Sequence, residues 1–374
     1  MGTTGADLVA AIERLAPPSL AESWDNVGLL AGDRSAPLQG PALLTIDLTE
    51  RVMDEAESID AGAIIAYHPV IFSPIKRLTA DDAKQRLVLR AIRAGMPIYS
   101  PHTAIDAAPG GLNDWLASGV GDGDSRALTM NEDHVARVKI VTFVPPNDLE
   151  RVRNALASAS AGRIGGYELC SFAAPGTGTF LGGEGTNPAI GTTGRLESAE
   201  ELRLEMICNR ASTALAVETL RSLHPYEEPA IDVYELAPLP LRKAGSGRRI
   251  MLDQPLMFSA LLEKIKAHLG VERVKFATPW DEPDHPIRSV GVCAGAGQSL
   301  LGAAADQGCD VFLTGEMRHH EILSALERNI AVVLAGHTNT ERGYLPTFAK
   351  RLAAAEPSIE FRVSEVDRTP VRWA

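Results

Sequence analysis

The sequence predicts an α/β protein whose core is made from both ends of the chain and is interrupted by a smaller α+β domain. Short apolar runs alternate with helical patterns in residues 1–133 and again in residues 239–374. Strands that alternate with helices of roughly 10–15 residues indicate βαβ units and a largely parallel sheet. Residues 134–238 follow a different order of elements. We therefore expect a discontinuous three-layer α/β core with a ferredoxin-like insertion.

The first stretch, residues 1–133, contains three candidate strands. They are the apolar runs ALLTID, GAIIAY and MPIYS, which begin at Ala42, Gly62 and Met96. In a parallel sheet, functional side chains collect at the carboxyl ends of the strands. His68 follows the second run directly, and His102 and Asp106 follow the third. These polar residues are therefore predicted to lie at one edge of the sheet.

The middle stretch, residues 134–238, reads as strand, helix, strand, strand, helix and strand. The strand and helix candidates are VARVKIVTFVP, NDLERVRNALASAS, part of a Gly-rich segment, RLEMICN, STALAVETLRSLHP and AIDVYEL. This order is that of a split βαβ module. It predicts an inserted domain.

The third stretch, residues 239–374, returns to the pattern of the first. Its buried-strand candidates are RSVGVCAG, CDVFLTG and IAVVLAG, and it closes with the helix LPTFAKRLAAAE and the strand IEFRVSEV. We therefore expect the two outer stretches to form one core.

Composition restricts the class of protein. The 374 residues include 36 Lys and Arg against 48 Asp and Glu, a net charge of −12, which argues against a nucleic-acid-binding surface. No apolar run approaches the roughly 20 residues of a membrane span, and the N-terminus lacks a signal-peptide pattern. The four cysteines have no C-x-x-C spacing, as expected of free thiols in a reducing compartment. The sequence predicts a cytoplasmic protein without a nucleic-acid or membrane partner.

Histidines at strand ends suggest a metal site. His337 leaves the strand IAVVLAG, and Glu341 falls four residues later, so a helix there would point both side chains the same way. With His68 and Asp106 they would form a mixed nitrogen and oxygen ligand set, which suits zinc, iron or manganese. The alternative is that these histidines are capping or hydrogen-bonding residues of the fold.

Two further motifs each have a functional and a structural interpretation. Gly295-x-Gly297 lies between a strand and a helix, as in a phosphate-binding loop, but the third glycine of that motif is replaced by Leu300. A tight strand-to-helix turn is the alternative, and we favour it. In HPYEEP, which begins at His224, the histidine is a candidate ligand or acid–base residue. A rigid turn into the last strand of the insertion is the interpretation we favour.

Six motifs together resemble the Nif-three-like family, whose members are often called GTP cyclohydrolase I type 2 homologues or dinuclear metal centre proteins. They occur in family order along nearly the whole chain: SWDNVGLLAGD, AYHPVIFSPIKRLT, YSPHTAIDAAPGGLNDWLA, HPYEEPAIDVYEL, LTGEMRHHEIL and GHTNTERGYLP. The middle stretch resembles the PII-like and CutA-like insertion of some members. The resemblance implies a homohexamer whose core subunits each bind two divalent ions facing an internal cavity.

Residue by residue, the resemblance implies His68, Asp106, His337 and Glu341 as metal ligands, with Glu341 touching both ions. Many bacterial members have two adjacent histidines before the proline, and here Tyr67 takes the first position. The Tyr-His-Pro form is closer to the eukaryotic-type branch. The lost imidazole could be replaced by Tyr67 as a phenolate, by His102 or by water, or that position could be empty. One or two ions per chain are therefore expected.

The resemblance implies a metal-dependent hydrolase that acts through a metal-activated water on a small-molecule or nucleotide substrate. Candidate proton shuttles are His102, Glu316, His319 and His320. The competing interpretation is a non-catalytic hexameric scaffold that binds or distributes metal, or senses a ligand through its insertion. A partner-binding adaptor is a third interpretation, without a sequence feature of its own here.

Overall fold

The structure, a computed structural model, describes residues 2–132, 137–282 and 284–371, without the side chains of Glu132 and Arg242. The chain divides into two compact units. The core unit comprises Met1–Asn131 and Leu241–Ala374, and the insertion unit comprises Glu132–Pro240. The boundary expected between residues 133 and 134 lies outside the described residues. The other division falls between Pro240 and Leu241.

The described part of the chain contains seventeen strands and twelve α-helices. The strands are β1 Gly28–Ala31, β2 Ala42–Thr45, β3 Ala63–Ala66, β4 Ile98–Ser100, β5 Gly123–Arg126, β6 Thr129–Glu132, β7 Arg137–Val144, β8 Phe172–Leu181, β9 Leu196–Asn209, β10 Ile231–Glu235, β11 Pro240–Ser246, β12 Arg248–Met257, β13 Lys275–Ala277, β14 Pro286–Cys293, β15 Val311–Thr314, β16 Ala331–Leu334 and β17 Phe361–Val363. The helices are α1 Gly5–Leu15, α2 Glu50–Ser58, α3 Ala83–Arg93, α4 His102–Ala107, α5 Leu112–Ser118, α6 Leu149–Ser158, α7 Thr213–Leu223, α8 Phe258–Leu269, α9 Leu301–Asp306, α10 His319–Glu327, α11 Asn339–Arg342 and α12 Leu345–Ala355.

The core unit holds two sheets. The first has the order β1-β4-β3-β2-β17, with β1 antiparallel and the other four strands parallel. The second has the order β13-β16-β15-β14-β12-β5, in which β14, β15 and β16 are parallel. Each sheet contains one edge strand from the other half of the chain. β17, from the C-terminal half, completes the first sheet, and β5, from the N-terminal half, completes the second. The predicted α/β class, with a core made from both chain ends, is confirmed.

Helices lie between the two sheets and on both outer faces. Alternate residues of β2 face opposite layers, since Leu44 packs in the central cluster with α1, α5, α8 and α12, while Leu43 packs outward against α2 and α3. In β15, Leu313 faces the central cluster and Phe312 packs outward with α9 and α10. The expected helix–sheet–helix layering therefore occurs twice and shares its middle helical layer.

Local signals start and stop these helices. The Thr49 hydroxyl accepts from the backbone N–H of Val52 at the start of α2, and the Asp82 carboxylate accepts from that of Gln85 at the start of α3. α8 ends at Gly270, whose left-handed backbone (φ +65°) suits glycine. No helix in the described ranges is long and apolar enough to cross a membrane.

The insertion unit runs β7-α6-β8-β9-α7-β10, and its antiparallel sheet has the order β10-β7-β9-β8. This element order is that of a split βαβ module. Its core is formed by one face of β7 and β9 against α6 and α7, for example Ile140 and Met206 against Leu156 and Leu220. A two-stranded ribbon of β6 and β11 lies where the chain passes between the units.

Candidate metal centre

The first part of the site lies just beyond β3. Backbone N–H groups of Tyr67 and His68 donate to the carbonyls of Thr45 and Ile46, so pairing with the neighbouring segment continues past the end of the strand. Asp47 follows on that neighbouring segment. Nδ1 of His68 lies 2.9 Å from Oδ1 of Asp47. The extended pairing thus fixes both side chains at the carboxyl edge of the first sheet.

The second part of the site lies beyond β16, at the corresponding edge of the second sheet. A short helix, α11, places Glu341 one turn after His337, with Nε2 of His337 3.3 Å from Oε1 of Glu341. Glu341 is only 1% exposed. The i, i+4 arrangement expected from the sequence is therefore present.

The two edges meet at Glu341. Nε2 of His68 lies 3.6 Å from Oε2 of Glu341, and the rings of His68 and His337 have centroids 5.5 Å apart. One ligand atom from each of these three residues lies within 4.8 Å of the others. His68, His337 and Glu341 therefore form a group that could hold a metal ion.

The hydrogen bonds of the two rings occupy Nδ1 and leave Nε2 facing Glu341. Nδ1 of His68 faces Asp47, and Nδ1 of His337 lies 3.0 Å from Oε1 of Glu316. An ionised carboxylate only accepts, so each Nδ1 donates, and a ring without a proton on Nε2 would offer a lone pair there. Both Nε2 atoms face the carboxylate of Glu341, whose buried Oε2 has no hydrogen-bond partner. A cation between these acceptors would satisfy them, and donation of Nδ1–H to a carboxylate is usual for metal-bound histidine.

Without a cation, the same geometry alters the proton affinity of His68. Burial would lower its pKa, but the carboxylates of Asp47 and Glu341 outweigh burial and raise the pKa to about 10. The pKa of Asp47 is lowered, chiefly by its hydrogen bond with His68. A positive charge is therefore favoured at this position, whether it is a proton or a metal ion.

A second polar group adjoins the first. The Tyr67 hydroxyl donates to Oδ1 of Asp106 at 2.7 Å. Burial, together with the charges of Asp106 and Glu341, raises the pKa of Tyr67 well above its usual range, so it remains a phenol. Burial also raises the pKa of Asp106 to about 7. A phenolate role for Tyr67 is therefore disfavoured in the metal-free protein.

His102 repeats the arrangement of the other two histidines. Its Nδ1 lies 2.7 Å from Oδ1 of Asp25, and its ring centroid lies 5.5 Å from those of Tyr67 and His68. The Thr103 hydroxyl and backbone N–H fix the other oxygen of Asp25. With Nδ1 engaged by Asp25, His102 has Nε2 available as a metal ligand. It is the strongest candidate to replace the imidazole that Tyr67 removes.

The Gly295 loop covers the metal group and is a tight turn. Its backbone N–H groups are engaged by side chains: that of Gly295 donates to the Thr340 hydroxyl and that of Gly297 to the Thr314 hydroxyl, each at 2.9 Å. A Cβ on Gly295 would lie 2.9 Å from Oε1 of Glu341 and 3.1 Å from Nε2 of His337. Glycine at this position leaves space directly above the candidate site.

A cavity of about 640 Å³ opens onto the site. His68, His102, Asp106, His337 and Glu341 all line it. Its walls also include Trp24 and Phe72, which are 59% and 49% exposed and lie 6.1 Å apart between ring centroids. A cavity of this size accommodates a small organic molecule.

Not every sequence candidate reaches this cavity. His319 and His320 are exposed at the start of α10 and do not line the cavity in the part of the chain that the structure describes. Glu316 is also largely exposed; its carboxylate contacts His337, and its backbone N–H donates to the carbonyl of Gly295. The proton-shuttle role proposed for these three residues therefore has no geometric support, whereas His102 stays a candidate.

His224 of the HPYEEP motif lies in the insertion unit and is a buried structural residue. Its Nδ1 accepts from the Tyr226 backbone N–H, and its Nε2–H donates to the Phe143 carbonyl, each at 3.1 Å. Burial lowers its pKa. With both ring nitrogens engaged by the backbone, His224 has no atom free for a ligand, in agreement with the turn that we favoured.

Sequence reasoning missed Asp25 and Asp47. Asp47 ends the apolar run ALLTID, and the rule that selected His68, a polar residue just after a parallel strand, could have found it. Asp25 lies in an irregular loop and is the Asp of the SWDN motif, so its place in that motif was the one signal that could have found it.

The two-sheet core and the histidine–carboxylate group define the class: an α/β protein with a candidate metal centre. The family described as Duf34/NIF3 (NGG1p interacting factor 3) matches residues 3–370, and the chain belongs to it. The resemblance noted in the sequence is confirmed.

Relatives of known name cover most of the chain. It is 36% identical over 338 residues to the GTP cyclohydrolase 1 type 2 homolog of Halalkalibacterium halodurans, spanning 90% of this chain and 89% of the relative. It is 35% identical over 372 residues to NIF3-like protein 1 of Bos taurus, spanning 97% and 91%. The structure of a Bacillus cereus protein related to NIF3, 31% identical, superposes with a TM-score of 0.72 over the whole of both chains.

Proposed function

We propose that this protein binds divalent metal through His68, His337 and Glu341 and uses it to hydrolyse a small molecule. The observation that supports metal binding best is the buried Glu341 carboxylate, which faces Nε2 of two histidines and has one oxygen without a hydrogen-bond partner. A cation at this position is favoured, because a buried polar atom that lacks a partner costs free energy. Zinc, iron and manganese suit this mixture of nitrogen and oxygen ligands.

A second ion, held by Asp106 and His102 with Glu341 shared, would make the centre dinuclear. The supporting observation is His102, whose Nδ1 is anchored by Asp25 as the other two rings are anchored by Asp47 and Glu316. Asp106 is the carboxylate that a second cation would ionise, because burial holds its pKa at about 7.

For hydrolysis, a divalent ion at this site supplies Lewis-acid polarisation and an acidified water. The residues of the chain position the reactants. Trp24 and Phe72 line the cavity, and a planar substrate can stack on their rings. His102 and Asp106 also line the cavity. If Asp106 is not bound to metal, it can accept or donate a proton near pH 7, because burial raises its pKa to about 7. The relatives named for GTP make a nucleotide the first substrate class to test.

A metal-distributing scaffold is the alternative function, and one observation favours it. His337 also lines a second cavity, of about 310 Å³. A second opening beside a metal ligand would allow an ion to exchange without passing through the substrate cavity. The homohexamer and the cytoplasmic location expected from the sequence stay part of this proposal, and light scattering of the purified protein tests the hexamer.

Elemental analysis of protein purified without chelator tests metal binding. Wild type is expected to hold close to two equivalents per chain, and Glu341→Gln far fewer, while Glu327→Gln, at an exposed position of α10, serves as the matched control. About one equivalent would support a mononuclear or distributing role. No metal in wild type would overturn the proposal.

Nucleotide screening of the metal-loaded protein then separates enzyme from scaffold. Turnover that is lost in His102→Gln, with metal retained at the first position, supports hydrolysis. Full metal loading with no turnover of any nucleotide supports the scaffold.

A further inference from the structure

The insertion unit contains a separate cavity of about 320 Å³. Three aromatic side chains line it, Phe143, Phe180 and Tyr226, together with the carboxylates of Glu201, Glu227 and Glu228. No Lys, Arg or His lines it among the residues that the structure describes. The cavity is therefore aromatic and negatively charged.

The HPYEEP motif holds two of the aromatic walls in place. His224 binds the backbone of Phe143 through Nε2–H and that of Tyr226 through Nδ1. These two hydrogen bonds join β7 to the turn after α7. Because His224 is only 8% exposed, water competes little for them. The spacing of Phe143 and Tyr226 is thus set by the fold before any ligand arrives.

The same motif fixes the rim of the cavity. Oε2 of Glu227 accepts from the backbone N–H of Asn187 at 3.0 Å, which ties the motif to the loop between β8 and β9. Thr186, Pro188 and Ile190 of that loop line the cavity. The loop is therefore attached to the motif at the point where it borders the cavity.

The carboxylate of Glu201 lies close to Gly178 on the neighbouring strand. A Cβ on Gly178 would lie 2.2 Å from Oε2 of Glu201. The carboxylate therefore lies against the backbone of β8, inside the cavity. An adjoining cavity shares Phe143, Gly178 and Glu201 and reaches Arg203. The Arg203 guanidinium donates to Glu205 at 2.8 Å and lies 5.7 Å from the ring centroid of Phe143, so that ring already contacts a cation of the protein. The rings of Phe180 and Tyr226 are the walls left for a ligand.

We propose that this cavity is a binding site for an organic cation, an ammonium or guanidinium group attached to an apolar or aromatic body. Aromatic faces attract such a cation and bind its body, while the carboxylates offer hydrogen-bond acceptors and negative charge. An anionic ligand would meet three like charges. The site belongs to the insertion unit and is independent of the metal centre.

Calorimetric titration of the full-length protein with three indole compounds of matched size tests the charge preference. Tryptamine is cationic, tryptophol is neutral and indole-3-propionate is anionic. We expect tryptamine to bind saturably, once per chain, about tenfold more tightly than tryptophol, a ratio within the range of cation–π contacts. Indole-3-propionate should bind more weakly than both. Equal binding of the cation and the anion, or no saturable binding of tryptamine, would overturn the proposal.

Variants then place the site. Glu201→Gln should weaken tryptamine about tenfold and leave tryptophol unchanged. Glu200→Gln changes the exposed neighbour, which does not line the cavity, and should leave both unchanged. Tyr226→Ala should weaken both compounds. Identical effects of the Glu200 and Glu201 variants would overturn the proposal. The metal content of these variants should equal that of wild type, so the result does not depend on the metal centre.

Discussion

Nε2 of His68 lies 3.6 Å from Oε2 of Glu341, and this contact joins the carboxyl edge of one sheet to that of the other. His68 follows β3 of the first sheet, and Glu341 lies in α11 after β16 of the second. The candidate metal centre is therefore built between two sheets that come largely from opposite halves of the chain, and neither half alone contains it.

The carboxylates that accept hydrogen bonds from Nδ1 of the histidines should control metal affinity. Asp47→Ala removes the acceptor that orients His68 and fixes its tautomer. Loss of such a partner typically weakens metal binding by about 10–100-fold. Zinc titration in competition with a chromophoric chelator measures this change. Asp81→Ala, at an exposed position, should bind zinc as wild type does. Equal affinities of the two variants would show that Asp47 does not support a bound metal.

Gly295→Ala should block the metal group sterically. The added methyl would lie 2.9 Å from the Glu341 carboxylate and 3.1 Å from the His337 ring. Gly295 also has φ +63°, where alanine costs about 1–2 kcal/mol. Gly270→Ala is the matched control, because it has φ +65° and nothing within 4 Å of its added Cβ. Both variants should lose similar stability in urea, but only Gly295→Ala should lose metal. Normal metal content in Gly295→Ala would contradict the position assigned to the site.

The sequence predicted which residues meet, because one rule governs them. Functional side chains collect at the carboxyl ends of parallel strands, so His68 and His337 could be selected from the residues just after apolar runs. The rule did not show that these two strands belong to different sheets. The i, i+4 spacing likewise related His337 to Glu341. The α/β class followed from the alternation of strand and helix patterns alone.

The sequence could not predict how the strands divide into sheets. β5 and β17 each join the sheet formed mainly by the other half of the chain, a pairing between residues far apart in sequence. The sequence also could not predict the direction of side chains in the loops after the strands. His319 and His320 follow a strand as His68 does, yet they point to solvent at the start of α10, because the direction of a side chain beyond a strand depends on the turn that follows.

Arg248 should be essential to the stability of the core unit. Its side chain is about 1% exposed, forms an ion pair with Asp114, and donates to the carbonyls of Gly245 and Gly247 at 2.7 Å and of Ala108 at 3.1 Å. Arg248→Met would leave these acceptors unpaired. Removing one member of a buried ion pair costs about 3–5 kcal/mol, and partial exposure of Asp114 places the expected loss near the lower end.

Urea denaturation followed by tryptophan fluorescence measures this loss. Arg288→Met, at an exposed position of β14, should unfold at nearly the wild-type midpoint. A midpoint of Arg248→Met equal to that of Arg288→Met would show that the carbonyls around Arg248 find other partners.

His224 should make the stability of the insertion unit depend on pH. Burial lowers the pKa of His224 below 6.5, and the carboxylates of Asp148 and Glu201 only partly oppose this effect, which Arg151 reinforces. The unfolded chain then binds a proton at a higher pH than the folded chain does. The stabilising effect is complete above pH 6.5 and is lost as the pH falls through the folded-state pKa, with a slope of at most about 1.4 kcal/mol per pH unit for one proton.

Hydrogen exchange measures this effect. Protection factors of β7 and β9 amides, corrected for the intrinsic exchange rate, should fall below pH 6.5 in wild type and change less in His224→Gln. His319→Gln, which alters an exposed imidazole, should follow the wild-type curve. Parallel curves for wild type and His224→Gln would mean that His224 does not titrate in this range, and that its two backbone hydrogen bonds persist in acid.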